Sequence, residues 1–137
     1  MDFGLRKTGD FVAEKRGWLR GSHGTGPGSN PSVVLDLTLF GGLHPDGYVP
    51  SGCVVGQVTA TGLYGPYEEG ATDGRETAYG LLFSSEGVAD GQTRALNAVL
   101  RHGNVDPSRL PFEDGKGAFT DAAKADLPLI DWKLGRT

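Results

Sequence analysis

From Ser32 to Phe40 the chain reads SVVLDLTLF, and its apolar residues recur at every second position. Val33, Leu35, Leu37 and Leu39 share one face, opposite Ser32, Val34, Asp36, Thr38 and Phe40. A period of two is that of a strand with one buried face. Two further apolar runs, CVVGQVT at 53–59 and TAYGLLF at 77–83, predict strands of the same kind. In the first, Cys53, Val55 and Gln57 point one way, and Val54, Gly56 and Val58 the other. Between the two runs lies GLYGPYEEGATDGRE, with Gly62, Gly65, Gly70, Gly74 and Pro66. Those residues favour turns, so the pair is expected to form a β-hairpin with a long, elaborate connection.

The remaining segments are shorter. GGLHPDGYVPSG, at 41–52, predicts a loop around a Pro-Asp-Gly turn, and SSEGVADGQ, at 84–92, predicts another turn. RALNAVLRHGNV, at 94–105, fits either period: Leu96, Val99 and Leu100 make a helical face, and Leu96, Ala98 and Leu100 a strand face. Pro107 and Pro111 bar regular elements from the next stretch. Thr120 or Asp121 is placed to cap a short helix through DAAKAD, ended by Pro128, and LIDW then predicts a last strand. The sum is a mainly β body with one short helix.

Residues 1–31 differ from the rest. They lack sustained periodicity and end in HGTGPGSNP, whose composition is that of a flexible connector. Yet Phe3, Leu5, Phe11, Val12, Trp18 and Leu19 are spread through them. A plain linker has no use for such residues, whereas a docking arm does, because burying each contributes about 1.5–3 kcal/mol. The predicted division is therefore an extended N-terminal arm and connector, 1–31, and a β-rich domain, 32–137.

At 137 residues the chain has room for one domain with a modest core. Acidic residues outnumber basic ones 17 to 13, which argues against nucleic-acid binding through a broad basic surface. Lys7, Lys15, Arg16 and Arg20 form a small basic group near the start, expected to be solvated. Hydrophobic residues make up 37% and glycine is abundant, so part of the chain is expected to be extended or to bury its apolar surface on a partner. No stretch has the length of a membrane span or the make-up of a signal peptide, which predicts synthesis in the cytoplasm and no membrane partner. The single cysteine, Cys53, sits in an apolar strand and is expected to be a buried hydrophobe.

Candidate chemistry is sparse. GTGPGSN at 24–30 precedes a strand rather than a helix, and Pro27 lacks one of the N–H groups an anion cradle needs. His23, His44 and His102 have no metal-ligand spacing. Glu68, Glu69, Asp73 and Glu76 form an acidic group around Arg75 in the long connection, expected to be a hydrated surface. Ser84, Ser85, His102 and Asp106 lack the setting of a nucleophilic triad. No catalytic residue, cofactor or metal site is predicted.

The order and spacing of several turn motifs carry a resemblance. Ser51-Gly52-Cys53-Val54-Val55, then Gly62-Leu63-Tyr64-Gly65-Pro66-Tyr67, then Asp73-Gly74 through Ala78-Tyr79-Gly80-Leu81-Leu82 follow one another. His102-Gly103-Asn104-Val105 and the closing DAAKADLPLIDW come after them. This block resembles the phage lambda-type head decoration proteins, and WLRGSHGT at 18–25 is similar to the entry segment of relatives from phages of actinobacteria. The resemblance spans about residues 18–132 and implies a strand at 94–105.

What the resemblance implies is a small body of the β-clip or β-barrel type and a homotrimer. It would sit on the outer surface of the expanded virion capsid at local three-fold positions, stabilising it against the pressure of packaged DNA. The arm would pair with the major capsid protein of the same phage, with Phe11, Val12, Trp18 and Leu19 as its anchors. Tyr64 and Tyr67 are candidates for subunit contacts, packing within the hairpin being the equal alternative. Two other functions share the expected architecture: a trimeric β-clip nucleotide hydrolase and a virion-displayed host-binding module.

Overall fold

The computed structural model describes residues 17–20, 30–41, 43, 47–89, 91–112 and 115–132. Within them the chain is mainly β and has one short α-helix. The centre is a closed barrel of β1 (Ser32–Asp36), β3 (Val54–Gln57), β4 (Tyr64–Pro66), β5 (Gly80–Leu82) and β7 (Arg94–Leu100), in the order β1-β4-β3-β5-β7. Neighbours are antiparallel, except that β1 meets β4 in parallel at Leu35 and Tyr64. Closure has a consequence for binding: every barrel strand is paired on both sides, so the barrel offers a partner no free edge.

The apolar doublets of the sequence are explained by two cores, one on each face of the central strands. Val55, Leu82 and Val99 point into the barrel with Val33, Leu35 and Tyr64, where Phe40, Val49 and Cys53 join them. Val54, Leu81 and Leu100 point outward. They are covered by Trp18, Tyr67, Val105, Leu110, Ala123, Leu127 and Ile130. A strand buried on both faces needs consecutive apolar residues, and VV, LL and VL supply them. At Gly80 only hydrogen fits, because a Cβ would run into Val99 Cγ1 and the Leu100 carbonyl across the β5–β7 contact.

The outer layer is built by the C-terminal third. β8 (Gly103–Val105) runs parallel to β9 (Ile130–Trp132), and α1 (Asp121–Asp126) packs beside them. Thr120 caps α1 through its Oγ1, which accepts from the Ala123 N–H at 3.1 Å. On its other side β8 takes up the entering chain: Leu19 bridges Val105, Arg20 N–H donates to Asn104, and Asp106 N–H donates to Trp18. Trp18–Arg20 thus join the body as a third strand-like segment, although the sequence pattern assigns them to the arm.

Three expectations are corrected. The alternation over 32–40 breaks at Asp36, whose carboxylate accepts from Thr38 N–H and starts a 3₁₀ turn over Leu37–Phe40. That turn buries Leu37 and Phe40 together, which strand geometry would have separated. The predicted hairpin is a three-stranded arrangement: the connection itself contributes β4, so β3 lies between β4 and β5. Finally, the two predicted loops supply β2 (Tyr48–Val49) and β6 (Glu86–Gly87), which pair with each other. The segment 94–105, ambiguous by pattern, forms strands β7 and β8.

Candidate functional site

Phe11 and Val12, and with them His23, His44 and the glycine-rich 24–29, lie outside the described residues. Trp18 and Leu19 do not. Trp18 is 1% exposed, and its indole Nε1 donates to Ser51 Oγ at 3.3 Å. Its ring borders a small surface cavity of about 210 Å³, shared with Tyr48, Pro50, Arg109 and Pro111. Leu19 is half-buried against the same core. In this conformation the indole has almost no apolar area left to offer a partner.

Tyr64 and Tyr67 are likewise buried within the chain. Tyr64 stands in the barrel core and touches Tyr79, with ring centroids 4.9 Å apart. Burial pushes its phenol up, Tyr79 adds to that, and the Arg101 charge pulls against it. Tyr67 ties β4 to the helix, its hydroxyl 2.9 Å from Thr120 Oγ1. Burial pushes the Tyr67 phenol up as well, the Thr120 bond opposing. Packing inside the chain accounts for the position of both rings.

The acidic connection is more ordered than its composition suggests. Arg75 is mostly buried, and its Nε donates to Asp73 Oδ2 at 3.0 Å. Its Nη1 lies 3.5 Å from Glu68 Oε1 and donates to the Pro66 carbonyl at 3.4 Å. Desolvation pushes the Asp73 carboxyl up, but the backbone N–H, side chain and charge of Arg75 outweigh it and hold the group below the usual carboxylate range. Gly74, at φ +116°, lets the turn close; a Cβ there would strike the Gln57 carbonyl and Thr59. Arg75 therefore cross-braces the connection from within instead of serving as a hydrated surface charge.

The other candidate groups are spread apart. Asp106 is buried and caps the 3₁₀ turn Pro107–Arg109 by accepting from Ser108 N–H, while Ser85 Oγ accepts from Ser51 N–H. Cys53 is fully buried, which pushes its thiol far up. Among the described residues no group of His, Cys, Asp and Glu is placed to hold a metal ion. No described helix is long and apolar enough to cross a membrane.

Sequence reasoning passed over two surface features. Val34 and Leu96 are partners across β1 and β7 and are 38% and 69% exposed on the barrel's outside. The alternation rule already placed Val34 on the polar face, and that was the signal. Arg101 lies over the face of Tyr79, at 4.0 Å from the ring centre. Nothing in the spacing of residues 79 and 101 announces that contact.

The sequence model of the family described as "Bacteriophage lambda head decoration protein D" matches residues 41–129. The match runs from the loop before β2 through four of the five barrel strands, β8 and α1, and stops just before β9. No curated protein and no solved structure matches the chain.

Proposed function

The chain belongs to the bacteriophage lambda head decoration protein family; on that premise we propose that it works as a homotrimer that cements the expanded head from outside. It binds over local three-fold positions of the coat lattice and resists the pressure of packaged DNA. It is made in the host cytoplasm and acts as a structural part of the virion, with bound coat protein and sister subunits as its partners, and without catalysis. The observation that carries this reading is the family match over residues 41–129, which takes in most of both cores.

Barrel closure supports attachment through the arm. With all five barrel strands paired, main-chain pairing with the shell falls to a segment outside the barrel. The chain before Gly17 meets that need, with Phe11 and Val12 as apolar anchors and its own backbone adding to an edge of the coat protein. Trp18 and Leu19 serve as the root that fixes this arm to the body. The division of labour is then an arm at 1–16 and a body that starts at Trp18. Each arm contributes modestly, and three arms on one trimer multiply the affinity through effective concentration.

Deleting residues 2–16 tests this, because the cut spares Trp18 and so spares the core. The truncated protein is expected to stay folded and trimeric and to bind expanded empty heads at least tenfold more weakly. Undiminished binding would reject the arm's role. Failure of the full-length protein to bind heads at all would reject the reading as a whole.

A further inference from the structure

Arg101 leaves the end of β7 and is held in two ways. Its Nε donates to the Tyr79 carbonyl at 2.9 Å, and its guanidinium stacks on the Tyr79 ring. Tyr79 itself leans on buried Tyr64. The Nε bond and the ring together fix the side chain's direction, so little of its conformational freedom remains to be lost on binding. Arg20, Arg75 and Arg109 each pair with a carboxylate; among the described residues Arg94 and Arg101 pair with none, and of these two Arg101 is the one held against a ring. It lines an open groove of about 380 Å³ with Gln57, Thr59, Glu76, Thr77 and Asp126.

The two acids of that groove are tied to backbone: Glu76 accepts from Gly74 N–H at 2.9 Å and Asp126 from Ala78 N–H at 3.0 Å. They make a negative rim around a fixed cation. Such a rim repels a polyphosphate chain. It suits a single carboxylate with a basic neighbour, the acid on the guanidinium fork and the base on the rim.

Resting on the trimeric reading, we propose that Arg101 binds a carboxylate of a second copy of this chain. The chain has the matching chemistry. Acids outnumber bases 17 to 13, and on the exposed side of α1 an acid stands beside a base at Asp121 and Lys124. A contact of groove to acid is head-to-tail, and such contacts make a ring when their rotation closes, as it does in a trimer.

Sedimentation velocity of the full chain across a concentration series tests this, with Arg101→Gln and Arg101→Lys beside the wild type. Wild type is expected to sediment as a trimer. Arg101→Gln is expected to need about ten- to hundredfold more protein to assemble, the loss typical of a charge-assisted bond. Arg101→Lys, which keeps charge but loses the planar fork, should fall between. Added salt should weaken the wild type and barely alter Arg101→Gln.

Assembly of Arg101→Gln at wild-type concentrations would overturn the proposal and leave the trimer standing. A wild type that stays monomeric across the series would overturn the proposal, whereas heads decorated without trimers would overturn the trimeric reading. Should Arg101→Gln fail to give a folded circular dichroism spectrum, Arg101→Lys decides, and wild-type assembly by it refutes the fork. If the variants assemble normally but lose binding to heads, the carboxylate belongs to the coat protein and the assignment to a second copy is wrong.

Discussion

Replacing Trp18 by alanine separates a core residue from an arm residue. The indole is 1% exposed and packs in the outer core with Leu110, Val105 and Ile130. Truncating a buried Trp to Ala costs about 3–5 kcal/mol. The lost bond from Nε1 to Ser51 Oγ adds about 0.5–1.5 kcal/mol. The neighbouring surface cavity works the other way, since water can enter and Arg109 and Pro111 can settle into the gap. The backbone bond from Asp106 N–H to the residue 18 carbonyl survives the change. The balance is a loss of about 3 kcal/mol, a large part of a small domain's stability. Urea unfolding of the full chain should show a lower midpoint at unchanged slope, and thermal melting a fall of about 10 °C. Trp18→Phe, which keeps one ring in place, should lose about 1–2 kcal/mol. A loss below about 1 kcal/mol for Trp18→Ala, with binding to heads impaired, would refute the reasoning and return Trp18 to the arm.

Two further outcomes are expected from the geometry. Gly74→Ala forces a side chain onto the Gln57 carbonyl at a positive φ, and should cost about 2–3 kcal/mol in chemical denaturation. Gly70→Ala, where a Cβ meets nothing within 4 Å, should stay within about 0.5 kcal/mol of wild type; equal effects at both sites would show that the connection is not held as described. Cys53 is buried in the barrel with its thiol pushed up, so a disulfide reagent should label it only as fast as the body opens. Rapid labelling of protein that is folded by circular dichroism would contradict the closed barrel.

Local pattern was enough for the elements whose neighbours agree with it. The alternation around Val54 and Val55 placed each on its proper face, and Thr120 marked the start of the helix. It misled where a side chain redirected the backbone: Asp36 satisfies an N–H of the next turn, and the strand stops three residues before its apolar alternation does. It also misled at Tyr64–Pro66. A three-residue strand with a glycine at its centre carries almost no periodic signal, and only pairing with β1 and β3 makes it one.

The candidate interaction residues divide in the same way. Apolar residues in an aperiodic N-terminal stretch can be recognised from sequence, as Phe11, Val12, Trp18 and Leu19 were. Which of them the body keeps for itself cannot, because Trp18 meets Ser51 and Asp106 across long stretches of chain.

A small, mainly β chain, the faces of its central strands and, through turn residues in a fixed order, its family are legible in the residues alone, because turn chemistry and alternation are properties of neighbours along the chain. Tertiary structure alone decided that the barrel closes, that Trp18 belongs to the core, that Arg75 braces a loop from within, and that Arg101 lies on Tyr79. Those are contacts between residues far apart in sequence, and their energy depends on distances that no local pattern encodes.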